Sequence, residues 1–322
     1  MDNRAMAKKS SRVDPNALVV KSNSLIQSLR YDLTATEQKL ILLAISRLDS
    51  MAPPDSPLPV LEFNASEVCA ALGMETGNRF AYLRKALKGL LSAVLTYWEE
   101  EGSDAATWTA THWVQKAKLT PKTMILHLEF DPGLRPYLQD IHSRFTKYHL
   151  REVLGLSGKY AVRLYEILMS YKGMAGKSES WIIPTMELET LRSLFDIGPK
   201  EYRLNADFLR WVIRPAIEEI NKVTEVIATW KIIKSGRRAS GVVFTVCMGN
   251  TRPALTQDEL DIAPLEDMLR GADESERRRF EEMFATERAR NLGIIPDEWV
   301  RARALRDWAK LPLPANMRKR GR

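Results

Sequence analysis

The 322-residue sequence predicts an α+β chain of two tandem domains on one plan, followed by a helical, basic C-terminal extension. Three observations predict it. The order helix, strand, short helix, longer helix, β-hairpin can be read from residue 33 onward and again from residue 158 onward. The length suffices for two ordinary domains with a core each. Residues beyond 250 do not repeat the order and are dominated by charge.

Residues 1–15 are polar and read as a disordered N-terminus. "LTATEQKLILLAISRLD" (33–49) opens with Thr34 and Glu37 at capping-box spacing, and Leu40, Ile41, Ala44, Ile45 and Leu48 recur at helical spacing. "SMAPPDSPLP" is a proline-rich break, "VLEF" (60–63) a short strand, and "NASEVCAALGM" a short helix capped by Asn64 and stopped by Gly73. "GNRFAYLRKALKGLLSAVL" (77–95) is a longer amphipathic helix with Phe80, Leu83, Leu87, Leu90, Leu91 and Val94 as its buried stripe. Three β-like runs follow: "LTYWEE", "TWTATHWVQKAKL" and "KTMILHLEF".

The second half starts with the helix "GKYAVRLYEILMSYK" (158–172) and the strand "SWIIP". "TMELETLRSLFDIG" is a helix for which Thr185 is the candidate cap. "LNADFLRWVIRPAIEEINKVTE" (204–225) is the longer helix, with a kink or restart expected at Pro215, which has no N–H to give. "VIATWKII" and "SGVVFTV" are the arms of a hairpin with a glycine at its tip. The domain boundaries read from this order are 16–140 and 141–250, with 251–322 as the charged extension and basic tail.

A short helix, a turn, a second helix and a hairpin describe a winged helix-turn-helix. Its second helix can enter a DNA major groove while the hairpin, or wing, reaches the backbone beside it. Net charge agrees: 48 Lys and Arg against 41 acids leave +7, which favours a polyanionic partner, nucleic acid before a membrane surface. On the 204–225 helix, Asn205, Asp207, Arg210 and Arg214 lie away from the apolar stripe near the N-terminal end. The alternative is a solvated face in which the arginines pair with Glu218. On the 77–95 helix, Arg79, Tyr82, Lys85 and Lys88 lie off the stripe, with the same alternative. The two hairpins differ in charge. The first has the tip "EEEGSDAA", which phosphates repel; the second carries Lys231, Lys234, Arg237 and Arg238 with no nearby acid. The second wing is therefore expected along DNA and the first is free to meet protein.

The segments "NALVVKSNSLIQSLRYDLTATEQKLILLAI" (16–45), "GKYAVRLYEIL" (158–168) and "FLRWVIRPAIEEINKVTEVIATWKIIKSGRRASGVVFTV" (208–246) together resemble the iteron-binding plasmid replication initiators, the Rep proteins of theta-replicating bacterial plasmids. The resemblance covers roughly residues 16–246. It implies two tandem winged-helix domains whose reading helices meet one direct repeat, the iteron, in successive major grooves. It implies monomers that bind double-stranded origin DNA, help open it and recruit the host initiator and replicative helicase. It also implies homodimers, joined through the first domain, that repress the protein's own gene. By position, Asn205–Lys222 is the second reading helix, with Arg210 and Arg214 leading.

Other classes have weaker support. A rolling-circle nicking initiator needs a His-hydrophobe-His metal motif, and "ILHLEF" supplies one histidine. "GLSGKYA" (155–161) lacks the spacing and hydroxyl of a phosphate loop, and helix capping by Ser157 and Gly158 explains it better. His112, His127, His142 and His149 form no close metal motif, and Cys69 and Cys247 read as reduced core thiols. No catalysis, cofactor or metal is expected, and with no signal peptide or apolar span the expected compartment is the cytoplasm. A winged-helix transcriptional regulator without initiation activity remains the alternative, and its DNA target would discriminate.

Overall fold

A computed structural model describes residues 12–53, 55–74, 77–99, 107–176, 179–236, 238–249 and 268–291, with Arg301, Ala304, Leu305 and Trp308. Strand β1 (Leu18–Ser22) runs into helix α1 (Asn23–Ser28), whose first turn is capped by the Ser22 hydroxyl accepting from the Leu25 N–H at 3.2 Å. Helix α2 (Ala35–Ile45) carries the expected capping box: the Glu37 N–H donates to Thr34 Oγ1 at 3.3 Å and the Thr34 N–H donates to Glu37 Oε2 at 2.8 Å. Strand β2 (Leu61–Asn64) leads into α3 (Ala65–Ala71), where Asn64 Oδ1 accepts from the Ser66 and Glu67 N–H groups. Gly73 then turns the chain at φ 68°, a left-handed conformation suited to glycine. Helix α4 (Arg79–Ser92) buries Leu83, Ala86, Leu87 and Leu90. Val94, expected in that stripe, is exposed and begins the next strand.

Four strands follow where three runs were expected: β3 (Val94–Glu99), β4 (Thr107–His112), β5 (Val114–Thr120) and β6 (Ile125–Phe130). The run 107–119 breaks at Trp113. That indole is 1% exposed and meets Tyr31 edge-on at 5.5 Å, so burying it bends the chain out of one sheet into another. After the short helix α5 (Arg135–Leu138), β7 (Phe145–His149) returns to pair antiparallel with β1, Leu18 facing His149. The division at 140/141 therefore separates paired strands.

Short α6 (Leu150–Leu154) precedes α7 (Lys159–Ser170), which is buried continuously from Ala161 to Ser170. Strands β8 (Ser180–Ile182) and β9 (Met186–Glu187) and helix α8 (Leu188–Leu194) follow. Thr185 does not cap α8, which starts at Leu188 without a side-chain cap. The residues in between are drawn into β9, which lies so close to β11 (Arg238–Met248) that a Cβ on Gly241 would meet the Met186 carbonyl at 2.9 Å. The second reading helix is composite: α9 (Asn205–Phe208), a π turn over Leu209–Ile213, and α10 (Arg214–Val223). Strand β10 (Val226–Ser235) pairs with β11 as the hairpin.

The two units meet across α7. Lys21 and Glu166, both about fully buried, form an ion pair of 2.5 Å, and the Tyr148 hydroxyl donates to the same carboxylate at 2.6 Å. Burial pushes the Lys21 ammonium down, and Glu166 opposes the shift. Arg163 donates to the Leu29 carbonyl at 2.7 Å and to the Leu194 carbonyl at 3.2 Å, joining the first unit to the end of α8. One continuous buried cluster runs through both units. In the extension, helix α11 (Glu274–Asn291) places Phe280 in a second cluster with Leu269, Leu305 and Trp308.

The expected disordered N-terminus falls mainly on residues 1–11, outside the described residues. Its end is held: the Val13 N–H donates to Glu67 Oε2 at 2.9 Å, and the Pro15 carbonyl accepts from the Arg151 N–H at 2.7 Å. The basic tail after 308 and residues 250–267 also lie outside the described residues.

Candidate nucleic-acid interface

The second unit presents one continuous outer face. Phe208, Leu209, Val212, Ile213, Ala216, Ile217 and Ile220 are buried, while Arg210, Trp211, Arg214, Glu218 and Lys222 are exposed. The buried positions recur every four residues: 208, 212, 216, 220 and 209, 213, 217. An α-helix of about 3.6 residues per turn would rotate such a stripe by roughly 40° each turn. The wider π turn absorbs part of that drift. The Arg214 N–H donates to the Leu209 carbonyl five residues back, and Pro215 restarts the helix where its missing N–H costs least.

Arg210 and Arg214 make no ion pair with Glu218 or with any other described carboxylate, so both charges face outward unopposed at short range. Asp207 is half-buried. Asn205 faces inward: its Nδ2 donates to the Ala239 carbonyl at 2.9 Å, and its Oδ1 accepts from Arg192 at 3.4 Å. It pins the start of the helix to the wing. Arg192 is one residue that the sequence reading missed. Its guanidinium, buried beneath the turn, donates to the Glu201 and Tyr202 carbonyls and lies 4.6 Å from the Phe208 ring. An arginine on a short helix looks like a solvated charge in sequence, and only the fold buries it.

The wing projects beyond the body. From Lys231 to Gly236 every residue is exposed, including Lys231 and Lys234, and so is Arg238 across the turn. Gly236 takes φ 60°, and a bulge at Ser240 lets its hydroxyl reach the Ile233 carbonyl at 3.3 Å. Arg237 lies outside the described residues.

In the first unit, Tyr82, Arg84, Lys85 and Lys88 are exposed on α4, and Arg79 is half-buried over the Phe80 ring at 5.2 Å. Arg84 escaped the sequence reading. Helix α4 crosses α2 so closely that a Cβ on Gly89 would overlap the Glu37 carboxylate.

Sheet pairing corrects the identity of the first wing. In the second unit, the strand before the helix pair, β8, joins the last hairpin strand, giving the order β10-β11-β8. In the first unit β2 holds β8's place, and its sheet runs β5-β6-β2. The wing by topology is thus β5–β6, with exposed Lys118 in β5 and exposed Lys122 in the tip at Pro121–Met124. The acidic hairpin β3–β4 is an added two-stranded sheet, tied to the body by a bridge between Thr96 and Arg30. Residues 100–106 of its tip lie outside the described residues.

The weak phosphate-loop pattern at 155–161 is already filled. Glu219 of α10 puts its carboxylate at the N-terminus of α7, accepting from the Ser157 hydroxyl at 2.6 Å and the Gly158 N–H at 3.1 Å. Gly158 is the N-cap there, and no Ser157 side-chain cap forms. Among the described residues no His, Cys, Asp and Glu gather as a metal site, and no helix is long and apolar enough to cross a membrane.

Residues 18–169 match the family described as initiator replication protein, WH1, and residues 187–246 match the initiator Rep protein, WH2. A replication initiation protein of Escherichia coli is 25% identical over 244 residues, 75% of this chain and 73% of that protein. An uncharacterized 27.6 kDa protein of Escherichia coli is 28% identical over 148 residues, 45% of this chain and 57% of that one. The crystal structure of the Pi initiator protein in complex with iteron DNA is similar in fold, with a TM-score of 0.59 at 18% identity over 73% of this chain and 99% of that one.

Proposed function

Since this chain belongs to the initiator replication protein family, with a WH1 and a WH2 unit, we propose that it is a plasmid replication initiator that binds direct repeats in double-stranded origin DNA. The observation that carries the reading is the coincidence, in one unit, of an outward helix face bearing Arg210 and Arg214 with a projecting wing bearing Lys231, Lys234 and Arg238. The helix enters the major groove, where arginine can grip guanine O6 and N7 together. The wing, including Arg237, holds phosphates and sets the register without reading sequence. Asn205 acts indirectly, by fixing the helix against the wing, and Asp207 borders the face.

The first unit presents Tyr82, Lys85 and Lys88 on α4, flanked by Arg79, and its β5–β6 hairpin adds Lys118 and Lys122 to the backbone contacts. The monomer is the form that engages the repeats, helps open the origin and recruits the host initiator and replicative helicase. The dimer represses the protein's own gene. The β3–β4 hairpin, with exposed Val94 and Trp108, is free for protein contact in that dimer. No residue is assigned a catalytic role.

The test is a nuclease footprint of the purified protein on its own gene and flanking DNA at two salt concentrations. Regularly spaced protection over direct repeats that survives the higher salt is expected. Protection of a single inverted repeat at the promoter would make the protein a plain repressor, and no protection would remove both basic faces from DNA.

A further inference from the structure

The exposed side of the second reading helix carries one aromatic side chain, Trp211. Trp211 is 56% exposed, as is Trp108 on the β3–β4 hairpin, whereas Trp113, Trp181 and Trp308 are each 5% exposed or less. It sits inside the π turn, between Arg210 and Arg214, on the side away from the buried stripe. Arg210 lies 4.7 Å from its ring centroid, close enough for a cation–π contact that presents ring and guanidinium as one unit. An indole in water forgoes its burial, and here it stands beside Arg210 and Arg214 on the face read as entering the groove, where a base edge can cover it. The π turn adds to this, because such turns concentrate at functional positions.

We propose that Trp211 is a specificity-determining residue whose ring covers the 5-methyl group of a thymine in the major groove, next to the base that Arg210 contacts. The inference rests on the reading of Asn205–Val223 as the helix that enters the groove. The major groove offers one apolar feature, the thymine methyl, and side-chain carbon against that methyl is a recognised mode of base readout. Arg210 and Trp211 then read adjacent positions together: the guanidinium takes a guanine edge while the ring excludes water from the neighbouring methyl. Arg214, one turn on, remains free for a phosphate or a further base.

The test uses the full-length protein and the DNA sequence that the footprint protects, with each thymine replaced in turn by deoxyuridine, which removes only the methyl. For the wild-type chain, one position is expected to weaken binding by about fourfold, the worth of one buried methyl. In Trp211→Ala that position should make no difference, while affinity for the unmodified site falls by about tenfold or more and binding to random DNA stays unchanged. Trp211→Phe, which keeps an aromatic ring, should recover part of the loss. The inference is overturned if no deoxyuridine position costs affinity, if the sensitive position stays sensitive in Trp211→Ala, or if the variant loses equally on specific and random DNA. Because deoxyuridine scanning of the wild-type chain needs no variant, the outcome does not depend on the variant folding. A wild-type chain with no specific site would defeat the groove reading and this inference with it. Specific binding that is intact in both chains would defeat this inference alone.

Discussion

The hairpins β3–β4 and β10–β11 each follow a reading helix directly, and each has six or more residues on both arms. Only the second belongs to the sheet of its own unit, where β11 pairs with β8 and β9. The first pairs with itself, and β5–β6 supplies the strands that close the sheet on β2. Place in the chain therefore does not make a wing; hydrogen bonding to the strand ahead of the helix pair does. The charges follow the pairing. Both topological wings, at 118–122 and 231–238, carry exposed cations, and the hairpin outside the plan carries the acidic tip.

That comparison can be broken most forcefully where the units join. Glu166→Ala leaves the Lys21 ammonium buried without a carboxylate and the Tyr148 hydroxyl without its acceptor, and should cost about 3–5 kcal/mol. Denaturant unfolding is expected to show one cooperative transition at a lower midpoint. Two separate transitions would mean that the units are independent and that α7 is not their common core.

Arg210→Ala is expected to cost about 1–3 kcal/mol on the specific site and to relax selectivity at one position, measured by titration against single-base variants. Equal losses on random DNA would demote Arg210 to a phosphate contact and make the second unit's helix no more selective than its wing.

A smaller change separates the helices. Gly89→Ala forces the Glu37 carboxylate away from α4 and out of its capping box, a cost of about 1 kcal/mol, but alanine favours a helix interior over glycine by about as much, so a nearly unchanged midpoint is expected in thermal or denaturant unfolding. A clearly lowered midpoint would show that α2 and α4 cannot part without loss.

The finest discrimination lies in salt dependence. Neutralising Lys118 and Lys122 together should flatten the slope of log affinity against log salt by about one to two, and so should neutralising Lys234 and Arg238. Neutralising Glu99 should leave the slope unaltered. If the 118/122 pair leaves it unaltered as well, only the second wing lies on DNA and the topological likeness has no functional counterpart.

Much of this was legible from residues alone. Thr34 and Glu37 announced α2, Asn64 and Gly73 bracketed α3, and Pro215 marked the restart of the reading helix, because caps, left-handed turns and a missing N–H act within a few residues. The four-residue recurrence from Phe208 to Ile220 was also present in the letters, and it is what the π turn accommodates.

What the sequence determined by itself was therefore local: element type, the order repeated in two units, and the charge that each exposed segment carries. Tertiary structure alone decided which hairpin completes the first sheet, that Trp113 divides one apparent strand into two, that Arg192 is buried under the turn, that Glu219 fills the N-terminus of α7, and that Trp211 is left facing out. Each of these depends on which distant segment arrives as neighbour. Strand pairing and burial are relations between residues tens to more than a hundred positions apart, and a local pattern holds no record of them.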